Sequence, residues 1–90
     1  MQGELNYIVA TYEDGNRKYF HCYTTEPGRT KIAAELCRGI CGAVMVDFIN
    51  PKEWKDISVL NQYLKNTFGV NLRLLELFCM DLITLPELVN

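Results

Sequence analysis

A tight-turn signal near the N-terminus is the strongest constraint on how this 90-residue chain folds. Residues 14–16 read Asp-Gly-Asn, and the runs on either side, residues 5–13 and 17–25, are rich in β-branched and aromatic side chains. A turn of this kind between two such runs is the usual signature of a β-hairpin. We therefore predict an antiparallel hairpin as the first unit of the fold.

Two strand registers are compatible with this turn. One pairs Ala10 with Tyr19, and the other pairs Tyr12 with Tyr19 and is favoured by facing aromatic rings and opposite charges. The two registers differ by two residues, so each side chain keeps its face in both. One predicted face carries Tyr7, Val9, Thr11, Phe20, Cys22 and Thr24, and the other carries Ile8, Ala10, Tyr12, Tyr19, His21 and Tyr23.

The segment after the hairpin predicts a helix. Glu26-Pro27-Gly28 breaks the chain, and an apolar stripe from Ile32 to Cys41 then has helical spacing. We expect this helix to begin near Thr30, which is a suitable N-cap. Gly42 is expected to end it in the left-handed conformation.

The second half of the chain predicts one strand and further helices. Residues 43–49 are a short apolar run that is typical of a buried strand. Apolar spacing predicts a helix that begins at Asp56 or Ser58 and ends at Gly69. Over residues 72–83 we favour a helix capped by Asn71, although alternating apolar residues there also suggest a strand.

Together these elements predict a single α+β domain over residues 1–90. The N-terminal β-hairpin and a third strand, with a fourth strand as an alternative, form a small sheet, with two to three helices packed mainly on one face. Helices on one face would leave the other face of the sheet open to a partner.

The charge balance disfavours nucleic acid as a partner, because phosphates are neutralised by Lys and Arg and this chain has a net charge of −2. A loose group of basic residues, interleaved with acidic ones, keeps a weak nucleic-acid binder as an alternative. The residues in that alternative are Arg17, Lys18, Arg29 and Lys31.

The chain begins without a basic, apolar leader and has no apolar run long enough to cross a membrane. Its four cysteines lie in apolar, periodic segments, which favours reduced thiols over a disulfide framework. We expect a cytoplasmic protein with no membrane partner.

No residue pattern indicates a cofactor or a metal. Cys37 and Cys41 share one stripe of the first predicted helix, where packing is a better explanation than zinc, and His21 is the single histidine. No phosphate-binding glycine motif is present. A small enzyme that uses His21 with Asp47 or a cysteine is kept as an alternative. Asp47 interrupts an apolar strand, and we expect it on the open face or at the strand end.

The aromatic hairpin carries the functional prediction, because tyrosines are enriched where proteins bind one another. We predict a non-enzymatic protein–protein interaction module, which is a small binder, inhibitor or adaptor. Self-association as a homodimer is kept as an alternative. Size and acidity also suit a phage or mobile-element inhibitor of a host nucleic-acid-processing or defence complex. The residues expected to bind the partner are Tyr12, Tyr19, His21, Tyr23, Arg17, Lys18 and Trp54.

Overall fold

The structure, a computed structural model, describes residues 3–40 and 42–82, without the side chains of residues 39 and 40. The α+β class, the N-terminal hairpin and a fourth strand are confirmed. In chain order the elements are β1 (Glu4–Thr11), β2 (Arg17–Thr24), α1 (Glu26–Ala34), a π-helical segment (Glu35–Ile40), β3 (Met45–Ile49), a 3₁₀ turn (Pro51–Glu53), α2 (Ile57–Phe68), α3 (Leu72–Phe78) and β4 (Met80–Asp81).

The four strands form one mixed sheet in the order β3-β1-β2-β4. β1 pairs antiparallel with both β2 and β3, so the hairpin supplies the centre of the sheet. β4 is short and pairs parallel with β2 through Met80 and Asp81. The fourth strand therefore follows α3, and the alternating residues 70–74 are not part of it.

The hairpin register is neither of the two predicted ones. Val9 lies opposite Tyr19, and the connection spans residues 12–16, where the amide of Gly15 donates to the carbonyl of Tyr12 at 2.9 Å. Gly15 takes a φ of 88°, and a carboxylate oxygen of Asp14 accepts the Asn16 amide at 2.9 Å. This longer turn displaces β2 by one residue from the first predicted register and by three from the favoured one, and an odd displacement exchanges the side chains of the two faces.

Two of the three helices, α2 and α3, pack on one face of the sheet as expected, and α1 with the segment after it covers the other face. The face that carries Tyr7 and Val9 packs against α2 and α3, and we call it the α2–α3 face. The face that carries Ile8 and Phe20 packs against Leu36, just after α1, and we call it the α1 face. With both faces covered, the sheet offers no open aromatic face.

Helix α1 begins at Glu26 rather than near Thr30. The Thr25 hydroxyl accepts the amide of Gly28 at 3.3 Å, and Pro27 lies in the first turn. Proline is tolerated in a first turn because its missing N–H would have no helical partner there. The expected break at residues 26–28 is therefore wrong, while Gly42 takes the left-handed φ of 71° as predicted.

Helices α2 and α3 begin at predicted caps. The Asp56 carboxylate accepts the amide of Ser58 at 2.8 Å, and the Asn71 side chain accepts the amide of Leu74 at 2.8 Å. Gly69 ends α2 with a φ of 72°, as expected. Helix α3 ends at Phe78, and residue 83, the predicted end, lies outside the described residues.

Candidate partner-binding surface

The register divides the predicted tyrosine surface between two faces of the sheet. Tyr19 and His21 lie opposite Val9 and Tyr7 on the α2–α3 face. Tyr12, at the start of the turn, packs against the core of the α1 face. The residues that we grouped on one face are thus not one surface.

Of the tyrosines on the α2–α3 face, Tyr23 is the accessible one. Tyr19 packs against the core, and its ring lies 5.7 Å from that of Phe78. His21 is half-buried between the two tyrosines. Tyr23 is 66% exposed near the end of β2, so it alone of the three offers most of its ring to a partner.

Arg17 and Lys18 lie on opposite faces of β2. The Arg17 guanidinium stands 5.3 Å from the centre of the Phe68 ring and donates to the carbonyls of Thr67 and Phe68 at 3.4 and 3.5 Å. A cation at a helix C-terminus satisfies carbonyls that have no helical partner. Lys18 instead holds its ammonium group 5.4 Å from the ring of Tyr12. Arg17 therefore stabilises the end of α2.

Trp54 is half-buried at the edge of the α2–α3 core. Its ring lies 5.3 Å from that of Tyr63 with an interplanar angle of 34°. Trp54 therefore covers the edge of the α2–α3 core.

The basic residues of the nucleic-acid alternative do not form one surface. Arg29 pairs with Glu53 at 3.3 Å and stands 6.0 Å from the Phe48 ring. Lys31 is exposed on α1, while Arg17 is on the opposite face of the sheet. Three of the four cations, Arg17, Lys18 and Arg29, therefore have contacts within the fold.

In the enzyme alternative, His21 is separated from Asp47 and from Cys22. His21 lies opposite Tyr7 and Asp47 lies opposite Val9, so β1 stands between them and their backbones are roughly 10 Å or more apart. Cys22 follows His21 in the strand and packs on the other face. Burial, and then the charge of Glu76, raise the pKa of Cys79 to about 12, so its thiol is protonated at neutral pH.

Asp47 is placed differently from the expectation. It lies in the middle of β3 on the α2–α3 face, opposite the fully buried Val9. Burial raises the pKa of the Asp47 carboxyl, and the nearby Arg17 partly offsets this. Within the described residues, its buried Oδ2 atom has no hydrogen-bond partner. A carboxylate in this position lowers the stability of the fold, so its presence requires another explanation.

The structure reveals an apolar surface on α3 that we did not predict. Leu75 faces the core and is fully buried. Leu77 lies on the opposite side of the helix and is 73% exposed, while Leu74 and Phe78, on the flank between Leu75 and Leu77, are 39% and 50% exposed. Their spacing of three and four residues places them on one stripe. The helix is thus apolar on two sides, and the run of residues 74–80 was the sequence signal for it.

One neighbouring side chain extends this surface. Burial, and then the nearby Glu76 of α3, raise the pKa of the Tyr7 hydroxyl, and the Tyr23 side chain also contributes to this rise, so Tyr23 lies near the same helix. Met80, two residues after α3, is 53% exposed, but it pairs with Phe20 in the sheet and lies on the α1 face. We call the surface formed by Tyr23, Leu77 and Phe78 the α3 patch.

A groove of about 500 Å³ runs between α2 and α3. Two of its amide side chains serve the helix junction, because Asn61 accepts the amide of Leu72 and Asn71 accepts the amide of Leu74, both at 2.8 Å. Its polar groups therefore have structural roles. The residues that line it are Ser58, Asn61, Gln62, Lys65, Gly69, Val70, Asn71 and Leu74.

Within residues 3–40 and 42–82, no group of three or more His, Cys, Asp or Glu side chains is arranged to hold a metal ion. Cys37 is half-buried there, while Cys41, its predicted partner on the helix, lies outside the described residues. In the same part of the chain, no helix has the length and apolar character needed to cross a membrane. No protein-family model, curated protein or solved structure matches the chain.

Proposed function

We propose that this chain is a non-enzymatic protein–protein interaction module that docks on another protein through the α3 patch. The observation that supports the proposal is the second apolar stripe of α3, in which Leu77 faces away from the core and half of Phe78 is exposed. An apolar stripe on a helix normally packs against another surface. A partner that covers the outer stripe therefore removes its apolar side chains from water.

The composition of the patch suits a binding site better than an ordinary surface. Single exposed apolar residues are common, but contiguous ones mark interaction sites. Leu77 and Phe78 are adjacent in sequence. Tyrosine is frequent among residues that dominate binding energy.

The proposal changes the set of residues that we expect to contact the partner. Tyr23 is retained from the hairpin prediction because most of its side chain is accessible. Arg17 and Trp54 leave the set, since each has a partner within the fold, and Tyr12 leaves it because it packs on the opposite face. Leu77 takes the central role as the most exposed large apolar side chain of the patch.

Affinity capture with matched variants tests this proposal. Immobilised wild-type protein, Leu77→Ser and Val59→Ser are each incubated with a lysate of the source organism, and retained proteins are identified by mass spectrometry. Val59 is 54% exposed on α2 and lies outside the patch, so its substitution is a control for general loss of apolar surface.

The expected result is a protein retained by the wild type and by Val59→Ser but not by Leu77→Ser. A dissociation constant measured with the purified partner should then rise about tenfold or more for Leu77→Ser, which corresponds to 1.4 kcal/mol. If the wild type, Leu77→Ser and Val59→Ser all retain the same proteins, the proposal is contradicted.

A further inference from the structure

Strand β3 is an edge of the sheet with apolar side chains beside its free side. Within the described residues, β3 has β1 as its neighbour and no strand beyond it. Val44 and Met45, at its beginning, are 61% and 47% exposed. An edge of this kind presents unpaired amide and carbonyl groups to other chains.

The ladder shows which residues of β3 direct their backbone groups outward. The carbonyl of His21 accepts the amide of Leu82 at 3.2 Å and so points toward β4. Because backbone groups alternate along strands, Tyr7, opposite His21, directs its groups toward β3. The same holds for Val9, two residues on, which bonds Asp47. The outward groups of β3 are therefore those of Val46 and Phe48.

These outward groups would let a second copy of the chain extend the sheet. β3 runs from Met45 to Ile49, so its central residue is Asp47. An antiparallel pair of two β3 strands with full overlap places Val46 opposite Phe48 of the second copy. It also places Asp47 opposite Asp47 of the second copy, in a pair without mutual hydrogen bonds, with Cα atoms about 4.5 Å apart.

We propose that the Asp47 carboxylate prevents β3 from pairing with β3 of a second copy of this chain. Two carboxylates at this separation repel each other, and directly opposed like charges destabilise strand pairing. Arg17 is the neighbouring cation, and it is committed to the end of α2. A charged side chain on the inner face of an edge strand is a known protection against edge-to-edge association.

This role explains the position of Asp47 in an otherwise apolar strand. Its carboxylate has a buried oxygen without a hydrogen-bond partner among the described residues, which costs stability. An apolar residue in its place would leave an uninterrupted apolar edge strand. The Asp47 carboxylate thus lowers the stability of the fold, but it keeps the β3 edge unpaired and the protein monomeric.

The test compares Asp47→Asn with Asp81→Asn by sedimentation equilibrium over the micromolar range at neutral pH. Asp81 is exposed on β4, at the other edge of the sheet, so both variants change the net charge equally. We expect Asp47→Asn to dimerise with a dissociation constant at least about tenfold below that of the wild type and of Asp81→Asn. A monomeric Asp47→Asn, or equal dimerisation of both variants, would overturn the proposal.

A second variant identifies the surface that forms the dimer. Asp47→Asn combined with Leu77→Ser should dimerise as strongly as Asp47→Asn alone, because the α3 patch does not contribute. Loss of the dimer in the combined variant would assign the association to the patch and would also overturn the proposal. Capture of a partner by the wild type is tested through Leu77 and does not involve Asp47. The proposal on the α3 patch and the proposal on the β3 edge therefore succeed or fail independently.

Discussion

The ring of Phe78 lies 5.7 Å from the ring of Tyr19 at an interplanar angle of 43°, while half of the Phe78 side chain stays exposed. This contact holds the end of α3 on β2. Burial, and then Glu76 of the same helix, raise the pKa of the Tyr7 hydroxyl of β1, so Glu76 lies close to this hydroxyl. The two contacts fix the rotation of α3 about its axis, and Leu77 faces outward as a consequence.

Two leucines of α3 should differ strongly in their contribution to stability. Leu75 is fully buried and Leu77 is 73% exposed. We expect Leu75→Ala to lower the free energy of unfolding by about 2–5 kcal/mol and Leu77→Ala to change it by less than about 0.5 kcal/mol. Urea denaturation followed by circular dichroism measures both. Equal effects would show that α3 has a different rotation, and the α3 patch would then not exist as described.

The hydroxyl of Tyr7 should stabilise the fold through Glu76. Tyr7→Phe removes the hydroxyl that can donate to the nearby Glu76, and we expect a loss of about 1 kcal/mol in the free energy of unfolding. Tyr23→Phe is the matched control, because Tyr23 is 66% exposed and its substitution should cost less than about 0.5 kcal/mol. In a Glu76→Gln background the effect of Tyr7→Phe should shrink, and an unchanged effect would argue against the Tyr7–Glu76 contact.

The stability of the wild type relative to Asp47→Asn should fall as the pH rises. Burial raises the pKa of Asp47 in the folded chain above its ordinary value of 3.8, against the lowering effect of Arg17. Between these two pKa values the unfolded chain has released a proton that the folded chain retains, so ionisation costs the folded state stability. Above the folded-state pKa the loss persists.

Unfolding of both proteins at several pH values, at concentrations where both are monomeric, measures this difference. The free energy of unfolding of Asp47→Asn minus that of the wild type should increase from below pH 3.8 to neutral pH. A difference that decreases over this range would mean that the Asp47 carboxylate has a favourable partner in the folded state.

The Cys79 thiol should react slowly with alkylating reagents. A pKa of about 12 in place of 9.0 makes the thiolate fraction at neutral pH about a thousandfold smaller than that of a free thiol, and the thiolate is the reactive form. Alkylation by iodoacetamide, with the peptide that contains Cys79 quantified by mass spectrometry, should therefore be slower in the native protein by about this factor than in urea. Similar rates would restore Cys79 as a candidate nucleophile.

Local patterns were sufficient to predict the class of the fold. The Asp-Gly-Asn turn between aromatic runs predicted the hairpin, and Asp56 and Asn71 were recognised as caps because a short polar side chain bonds the first free amides of a helix. Gly42 and Gly69 were recognised as stops because only glycine takes a positive φ at little cost. Each of these signals acts over a few residues, so no distant contact was needed to interpret it.

The exposed surface, in contrast, was decided by tertiary structure. A turn over residues 12–16 rather than a shorter one displaces β2 by an odd number of residues, and this displacement sends Tyr12 and Tyr19 to opposite faces. The composition of the strand is the same in every register, so the sequence could not choose between them. Likewise, the run from Leu74 to Met80 is apolar except for Glu76, and only the packing of α3 against the sheet determines which leucine is buried. A binding surface consists of the side chains that packing leaves exposed, and packing depends on contacts between residues far apart in the chain.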